Sequence, residues 1–571
     1  MRKSAVTFCA LLLAAIAVPA SAQFRHTLPD GPKPWSKTPV VGTENYRFVV
    51  LADKTGGPET GIFPRAVDEV NRLAPDFVLS IGDLVDGYLN DPATIRRQWS
   101  EIFALTDRLE APLFYVGGNH DLSNPTMVQH WRELFGATYY HFEVGRDLFL
   151  VLDTEEPGGL SATQIAYFTD LLNRWEGRWI YVLMHRPLWY PKNHAGYERI
   201  DALLQGRAYT VFSGHEHQYY MERRNGRDYY LVATTGGDSQ LRGPQLGEFD
   251  HYFFVTARDP EPVVANLQVG AMLPNDVVNP ETKPMVNTLL GGRYAEVVPA
   301  LLPEECPESF GFEIALRNPC AQPMHFTAAM PAVEGLTFVP QRIETVVPAG
   351  ETARCTVTVQ NPDRRSAAGF EKLPIAVTGG YELVPGGEIC TVPAQKMLLL
   401  DWNRPVPAGA ALAIACDDPA YIKESWDWHG PADGCFALTV ENRPREVVIT
   451  VRTTDDQLVR SDDPAAPQDK VTIWLATDAA GPWSYELVPE RPMQRGGTAP
   501  LPAKGSCTLD GHSLVATLTI PKNRLRSDRF RLNVAWTDSD NPLNMKPSVL
   551  WWKPVWGTAA EFAGSGLFIL Q

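Results

Sequence analysis

Cysteine is scarce in this chain and unevenly distributed. There are eight cysteines in 571 residues, and none lies between Cys9 and Cys306. No two have the C-x-x-C spacing typical of zinc-binding thiolates, so a thiolate metal site is disfavoured. The seven cysteines beyond residue 300 fit disulfides in an oxidising compartment, although seven is odd and the connectivity stays open. The plausible pairs are Cys306 with Cys320, Cys355 with Cys390, and Cys416 with Cys435.

Positive charge and long apolar runs are also in short supply. The 51 Lys and Arg residues are outnumbered by 67 Asp and Glu residues, giving a formal net charge of -16. Such a chain has little of the basic surface that grips a nucleic-acid backbone, so nucleic acid is not expected as a partner. The longest apolar run, residues 5–18, is shorter than the ~20 residues that cross a bilayer. No membrane span is therefore expected.

The N-terminal apolar run instead has the features of a secretory signal. Arg2 and Lys3 precede it, and Ala20, Ser21 and Ala22 follow it as a small-x-small cleavage site. This pattern predicts a signal peptide over residues 1–22. We therefore expect an exported protein that is periplasmic or secreted.

The rest of the chain is long enough for several globular domains. A length of 571 residues implies about three or four, at roughly 100 to 200 residues each. Between residues 23 and 260, buried strand-like runs alternate with runs of helical periodicity, which is typical of an α/β domain. The strand-like runs are residues 46–52, 77–81, 112–116, 148–152, 179–184 and 209–212.

Polar side chains capable of binding metal follow several of these strands. In chain order they are Asp53, Gly82-Asp83, Gly118-Asn119-His120-Asp121, His185 and Gly214-His215-Glu216-His217. Open α/β sheets collect their ligands at the carboxyl ends of strands, so these side chains should converge on one edge. Carboxylates that bridge and imidazoles that donate nitrogen suit two divalent ions.

The order of these blocks resembles that of the calcineurin-like metallophosphoesterases, over about residues 45–257. Their pattern is D-x-H, G-D, G-N-H-D/E, a lone His and G-H-x-H, and four of the five blocks are intact here. The resemblance implies a four-layer α/β sandwich of two mixed sheets flanked by helices. It also implies hydrolysis of a phosphate mono- or diester by a metal-bound hydroxide, with manganese, iron, zinc or magnesium as the two ions.

The resemblance also implies a role for each matching residue. Asp83 is expected to bridge the two ions, Asn119, His185 and His215 to complete the second metal site, and Asp53 and His217 to serve the first. His120 is expected to bind the phosphate and protonate the leaving oxygen, with Asp121 orienting its ring. An imidazole suits this role because it titrates near neutrality.

The first block departs from the family pattern. Asp53-Lys54-Thr55 replaces D-x-H, so one nitrogen ligand is missing and the first metal site should be the weaker one. Thr55 or Asp86 remains a candidate replacement. Asp86 occupies the position at which the related purple acid phosphatases have a tyrosine ligand, and its alternative role is that of a hydrogen-bond acceptor for a ligand. Lys54 is a candidate contact for the substrate phosphate.

Short alternating strands separated by turns replace the α/β pattern beyond residue 260. Residues 275–287 have no clear periodicity and resemble a linker, and the rest of 261–400 suggests an immunoglobulin-like β-sandwich. Residues 401–571 are similar to family-9 carbohydrate-binding modules, which makes carbohydrate a candidate partner. This similarity lies in Trp428-His429-Gly430, Asp433-Gly434-Cys435, Thr454-Asp455-Asp456 and Asp469.

Tryptophan pairs in the last region are candidates for a sugar-binding platform. These are Trp551 with Trp552, and Trp426 with Trp428. Aromatic core residues of a β-sandwich would give the same pattern, so this alternative stays open.

The expected architecture is therefore an α/β four-layer metallophosphoesterase sandwich followed by two β-sandwich domains. Two functions fit it: an exported metal-dependent phosphoesterase, and a non-catalytic surface or carbohydrate-binding protein with a degenerate metal site. Retention of His120 favours the enzyme, because a decaying site has no physical reason to keep a proton donor that binds no metal.

Overall fold

The computed structural model describes residues 23–57, 59–190, 196–423, 428–463, 466–539, 547–553 and 565–571. The predicted signal peptide and Trp426 lie outside these ranges. The chain divides into two units, Met1–Leu290 and Gly291–Gln571. Within the described ranges, no helix is both long and apolar enough to cross a membrane.

The first unit alternates strands and helices, as the sequence predicts. Its strands are β1 Phe24–His26, β2 Tyr46–Leu51, β3 Phe77–Ser80, β4 Leu113–Phe114, β5 Tyr140–Val144, β6 Asp147–Leu152, β7 Trp179–Met184, β8 Tyr209–Ser213, β9 Tyr220–Arg224, β10 Arg227–Leu231, β11 His251–Ala257 and β12 Val263–Gln268. Its helices are α1 Ile62–Leu73, α2 Pro92–Thr106, α3 Pro125–Phe135, α4 Ala162–Arg174, α5 Tyr197–Leu204 and α6 Lys283–Gly291.

These strands form two mixed sheets. The larger has seven strands in the order β1-β5-β6-β7-β8-β10-β9, and the smaller has five in the order β12-β11-β2-β3-β4. Strands β6, β7 and β8 are parallel, as are β2, β3 and β4. Parallel neighbours end at the same edge of a sheet, so the loops after β2, β3, β4, β7 and β8 are placed to build a common site.

Aromatic side chains join the inner faces of the two sheets. Phe48 of β2 contacts Phe149 of β6 and Tyr181 of β7, with ring centroids 5.3 and 4.9 Å apart. Helices α1, α2 and α3 cover the other face of the smaller sheet, where Val67 and Trp99 belong to one buried cluster with Val49. This packing gives the loops at the strand ends a rigid support.

The first unit extends beyond the boundary expected at residue 260. Strand β12 pairs with β11, and the Nδ2 of Asn275 donates to the carbonyl oxygen of Val264 at 2.9 Å. The side chain of Asn279 accepts the N–H groups of Glu281 and Thr282 at 2.9 and 3.2 Å, just before α6 begins. The stretch expected to be a linker is therefore partly helical and held by hydrogen bonds.

The second unit is mostly β. Its strands are β13 Ala295–Val297, β14 Ala300–Leu302, β15 Ser309–Arg317, β16 Met324–Ala329, β17 Thr337–Val339, β18 Arg342–Val347, β19 Thr352–Gln360, β20 Lys372–Glu382, β21 Ile389–Trp402, β22 Arg404–Val406, β23 Ala411–Cys416, β24 Tyr421–Lys423, β25 Gly434–Asn442, β26 Glu446–Asp455, β27 Lys470–Ala476, β28 Trp483–Leu487, β29 Gln494–Gly496, β30 Lys504–Asp510, β31 Ser513–Pro521, β32 Arg529–Asp538, β33 Ser548–Trp551 and β34 Phe568–Leu570. A short helix, α7, spans Lys522–Leu525.

The strands of the second unit form four sheets. Sheets of four and five strands contain β13 to β21, and sheets of eight and five strands contain β22 to β34. Alternation along the strands directs Leu438, Ile449, Ile473 and Val534 into one buried cluster shared by the last two sheets.

The three plausible disulfides do not form in the structure. All seven cysteines among the described residues are free thiols. Cys355 and Cys390 lie on strands of different sheets. Cys416 is paired with Phe436 across β23 and β25, so strand alternation directs Cys435 to the opposite face of the sheet.

The predicted platform of Trp551 with Trp552 is likewise not formed as expected, and the other predicted pair includes Trp426, which lies outside the described residues. Trp551 and Trp552 are consecutive, so they point to opposite sides of the strand. Trp552 packs against the buried cluster of the last two sheets, whereas Trp551 stacks on Trp474 with ring centroids 4.7 Å apart. Trp428 also packs against that cluster, and its indole N–H donates to the carbonyl oxygen of Gly434 at 2.8 Å.

Candidate metal centre

The structure brings the sequence-predicted metal ligands together at the ends of the parallel strands. One group contains Asp83, His185 and His215, and another contains Asp53, Asp83 and His217. Within each group the candidate ligand atoms lie no more than 4.8 Å from one another. Asp83 belongs to both, which is the arrangement required of a carboxylate that bridges two ions.

The predicted second metal site is centred on His185, which is fully buried. Its Nδ1 lies 3.1 Å from the carbonyl oxygen of Ile81, which assigns the ring hydrogen to Nδ1. Its Nε2 then lies 2.9 Å from Oδ1 of Asn119 and 3.2 Å from Oδ2 of Asp83. Burial by itself lowers the pKa of His185. The charge of Asp83 and its hydrogen bond to the ring outweigh this effect and raise the pKa to about 10, so a metal ion at this position must displace a proton. These converging acceptor atoms fit a divalent cation.

The predicted first metal site is centred on Asp53, which is also fully buried. Its Oδ2 accepts the backbone N–H of His215 at 2.9 Å and lies 3.3 Å from Nε2 of His217. Its Oδ1 has no hydrogen-bond partner among the described residues. The Nδ1 of His217 lies 2.7 Å from the carbonyl oxygen of Asp238, which leaves Nε2 available as a ligand. A buried carboxylate oxygen without a donor is a further feature that fits a cation.

Glycine permits the close approach of the loops at this edge. A Cβ atom on Gly214 would lie 2.3 Å from Oδ1 of Asp53, and one on Gly118 would lie 2.2 Å from Oδ1 of Asp83. A side chain on Gly214 would displace the carboxylate of Asp53, and one on Gly118 would displace that of Asp83. Only glycine therefore fits at these two positions.

Asp86 belongs to neither group of converging ligand atoms, and its contact is with Thr55, the other candidate replacement for the missing ligand. The buried hydroxyl of Thr55 donates to the carboxylate of Asp86, so the two side chains satisfy each other beside the first metal site. Lys54 is half-buried, and its ammonium group makes no hydrogen bond within the described part of the chain. Its backbone N–H donates to the carbonyl oxygen of Asp83 at 3.1 Å, so Lys54 lies at this edge.

We therefore expect the two metal sites to differ in affinity. The first site has Asp53, Asp83 and His217 as candidate ligands. The second site has Asp83, the amide oxygen of Asn119, and the two imidazoles of His185 and His215. A calorimetric titration of the metal-free protein with manganese should give two resolved steps. Thr55→His should tighten the weaker step, on the order of tenfold, by restoring a nitrogen donor. Thr55→Val, which removes the hydroxyl and adds no donor, is the matched control; two equally tight steps in the unmodified protein would contradict the prediction.

The structure differs from the sequence-based expectation for Asp121. Its carboxylate is fully buried and accepts the backbone N–H groups of Asp83, Leu84, Val85 and Gly118 at 2.8 to 3.3 Å. Burial, and then the charge of Asp83, raises the pKa of Asp121. Asp121 therefore fixes the loop that carries Asp83 and does not orient the ring of His120.

The carbonyl oxygen of Asp86 orients His120 instead. It lies 2.6 Å from Nδ1 of the ring, and the opposite nitrogen, Nε2, lies 4.0 Å from Oδ2 of Asp83. His120 thus faces the position shared by both metal sites while making no ligand contact in either group. This placement suits a residue that donates a proton next to the ions.

An ion pair adjoins His215. Nη1 of Arg186 lies 2.7 Å from Nε2 of His215, and its Nε contacts both carboxylate oxygens of Glu155 at 3.1 and 2.9 Å. Burial, with the charges of His185 and Arg186, lowers the pKa of His215 to about 3. The imidazole is therefore neutral at pH 7, as a metal ligand must be.

Four residues at this edge received no definite role from the sequence. They are Tyr88, Glu155, Arg186 and Asp238. Each lies beside a motif or at a strand end, but adjacency alone does not reveal which ligand a side chain or carbonyl group contacts. The contacts of Glu155 and Asp238 depend on loop geometry that has no local sequence signature.

Comparison with known proteins agrees with this geometry. Residues 46–219 match the family model described as calcineurin-like phosphoesterase. A relative from Danio rerio named serine/threonine-protein phosphatase CPPED1 is 29% identical over 223 residues, which cover 34% of this chain and 69% of that protein. Residues 46–219 are therefore similar to calcineurin-like phosphoesterases and have the metallophosphoesterase fold.

Two solved structures are also similar to part of this chain. A 5'-nucleotidase from Candida albicans is 12% identical, with a TM-score of 0.29 and coverage of 44% of this chain and 59% of that chain. A family-9 carbohydrate-binding module from Caldicellulosiruptor kristjanssonii, in complex with cellotriose, is 11% identical. Its TM-score is 0.23, and the match covers 30% of this chain and 93% of that chain.

Proposed function

We propose that this protein is an exported, metal-dependent phosphoesterase that hydrolyses a phosphate mono- or diester with two divalent ions. The observation that carries the proposal is the sharing of Asp83 by two groups of metal ligands, with His120 directed at the same position. Manganese, iron, zinc and magnesium all remain candidates for the ions, because carboxylate, amide and imidazole ligands accept each of them.

The chain's own residues account for the remaining requirements of the reaction. When bound, the two ions would lower the pKa of a water molecule and neutralise charge on the phosphate oxygens. Asp53 and Asp83 supply the negative charge that holds cations at this edge, and His215 contributes a neutral imidazole. The Nδ1 of His120 is held by the carbonyl oxygen of Asp86. Its Nε2 is thereby aimed at the centre, where it can protonate the leaving oxygen.

The charges flanking the centre favour a phosphorylated substrate. Lys54 lies at the edge of the first metal site, and Arg186 lies beside His215 at the edge of the second. Lys54 would attract a phosphate group, whereas the charge of Arg186 is already paired with Glu155. The phosphatase relatives, named for serine and threonine phosphate, support a monoester as the first substrate to test.

A direct hydrolysis assay tests this proposal. The full chain, stripped of metal and reloaded with manganese or zinc, should hydrolyse a generic aryl phosphomonoester, an aryl phosphodiester, or both. Chelation should abolish the activity, and adding either ion back should restore it. A protein that binds the ions in calorimetry and hydrolyses neither ester would favour the alternative of a non-catalytic binding protein.

We also propose that the C-terminal region binds carbohydrate as an accessory function. Trp474 and Trp551 stack on one another and are both only half-buried, so an apolar ring face remains near the surface of this sheet. Such faces bind the apolar side of sugar rings. Calorimetry with a cello-oligosaccharide should show saturable binding by the full chain, and an absence of heat with several oligosaccharides would refute the proposal.

A further inference from the structure

A short loop after β3 packs against Asn119, a predicted metal ligand, and against His120, the proposed proton donor. The carbonyl oxygen of Asp86 contacts the ring of His120, and a Cβ atom on Gly87 would lie 1.8 Å from the carbonyl oxygen of His120. The hydroxyl of Tyr88 then contacts the side chain of Asn119. Three successive residues of this loop therefore touch Asn119 or His120.

The hydroxyl of Tyr88 determines how the amide of Asn119 points. Nδ2 of Asn119 donates to this hydroxyl at 2.9 Å, while Oδ1 lies 2.9 Å from Nε2 of His185. A side-chain amide has its donor and its acceptor on opposite sides. Holding the amino group on Tyr88 therefore directs the carbonyl oxygen, the only atom of this side chain that binds a metal ion, toward the second metal site.

The aromatic ring of Tyr88 also packs against His120. The two rings meet edge to face, with centroids 5.0 Å apart and an interplanar angle of 86°. His120 is thus held by the carbonyl oxygen of Asp86 at Nδ1 and by the aromatic ring at its side. Such a contact restricts rotation of the imidazole.

The backbone N–H of Tyr88 donates to the hydroxyl of Ser123 at 2.9 Å, but burial of the side chain does not explain why Tyr88 adopts this conformation. Its side chain is 59% exposed, so it buries little apolar surface. Its backbone has a φ of 53°, a left-handed conformation that is unfavourable for a bulky residue. Backbone strain of this kind is typically retained at functional sites.

From these contacts we propose that Tyr88 is a positioning residue of the metal centre. Its hydroxyl fixes Asn119 as a ligand of the second metal site, and its ring fixes His120 in the direction of the leaving group. The second part rests on the proposed hydrolytic function, whereas the first part requires only that the centre binds metal.

Two variants separate the contributions of the hydroxyl and the ring. Tyr88→Phe removes the hydroxyl alone, and Tyr88→Leu removes the hydroxyl and the ring. The matched control is Tyr421→Phe, which makes the same change at a tyrosine of the second unit that is 47% exposed. The two Tyr88 variants and the Tyr421→Phe control should keep the circular dichroism spectrum and the unfolding temperature of the unmodified protein. The reason is that the side chains of Tyr88 and Tyr421 are both exposed.

Manganese calorimetry tests the hydroxyl without reference to activity. Tyr88→Phe should weaken one of the two binding steps by about tenfold or more, as expected for loss of a group that orients a ligand. The other step and the Tyr421→Phe control should not change. Unaltered manganese affinity in Tyr88→Phe would overturn the assignment to Asn119, whether or not the protein proves to be an enzyme.

Kinetics at saturating manganese test the ring. Under this condition Tyr88→Phe should recover most of its kcat, since the occupancy lost with the hydroxyl is restored. Tyr88→Leu should keep a kcat about tenfold lower on an alkyl phosphate, whose leaving oxygen needs a proton, and lose much less on a nitrophenyl phosphate. Equal losses on both substrates, or none on either, would overturn the assignment to His120.

Discussion

His120→Ala is expected to lower kcat by on the order of 10² to 10⁴ while leaving the bound metal nearly unchanged. His120 belongs to neither group of converging metal ligands, and its Nε2 is 4.0 Å from the nearest carboxylate oxygen of Asp83. The ring is oriented by a backbone carbonyl and not by an ionised side chain. Truncation therefore leaves no buried charge without a partner, and the fold should be preserved.

The effect should depend on the leaving group. A nitrophenolate leaves without a proton, so the loss on nitrophenyl phosphate should be near the lower end of that range. An alkoxide requires protonation, so the loss on an alkyl phosphate should be near the upper end. His429→Ala, at an exposed histidine of the second unit, is the control. If bound metal in His120→Ala fell in proportion to activity, His120 would be a ligand and not an acid.

The ligand positions could be predicted from the sequence because they depend on a simple topological rule. Asp53, Asp83, His185 and His215 each follow a buried strand, and parallel strands bring their carboxyl ends to one edge. Short apolar runs that are bounded by turn residues and rich in β-branched or aromatic side chains indicate such strands. The order of the motifs along the chain then carried enough information to place all of these side chains in one site.

The contacts between loops could not be predicted in this way. The sequence pairs Asp121 with its neighbour His120, yet the carboxylate of Asp121 turns inward to four backbone N–H groups. The ring of His120 is held instead by the carbonyl oxygen of Asp86, an atom that every residue possesses. A backbone acceptor has no side-chain signature, so only the three-dimensional course of the loop reveals it.

Strand alternation explains the remaining differences in the second unit. Adjacent residues such as Trp551 and Trp552 look like a pair in the sequence but point to opposite faces of a strand. Cys416 and Cys435 lie close along the chain, yet the register of β23 and β25 pairs Cys416 with Phe436. Both expectations rested on proximity in sequence, which in a sheet matters less than register.

Asp83→Asn should produce the broadest loss of any single substitution, because Asp83 alone belongs to both groups of metal ligands. The amide has nearly the same shape and removes one negative charge. Its oxygen can still accept the backbone N–H of His120, which lies 2.9 Å from Oδ1, and its amino group can donate to Nε2 of His185. The local fold should therefore persist while the attraction for both ions falls. Loss of several kcal/mol of charge stabilisation corresponds to a fall in kcat/KM of about 10³-fold or more, at 1.36 kcal/mol per factor of ten.

Thermal unfolding distinguishes this loss of metal from a loss of structure. In the metal-free state, the Asp83 carboxylate attracts His185 and repels the buried Asp121 carboxylate, so removing its charge has two opposing effects and should lower the unfolding temperature only moderately. Manganese at about 100 times its dissociation constant should stabilise the unmodified protein by about 2.7 kcal/mol for each site it fills. Asp83→Asn should lose most of this shift, whereas Asp107→Asn, the same change at an exposed residue, should retain it. A variant that keeps the full manganese-induced shift would show that Asp83 does not bridge the two metal sites. A metal-free variant that unfolds at a much lower temperature would assign Asp83 a structural role instead, because the charge on its carboxylate would then be needed to hold the loops together without the ions.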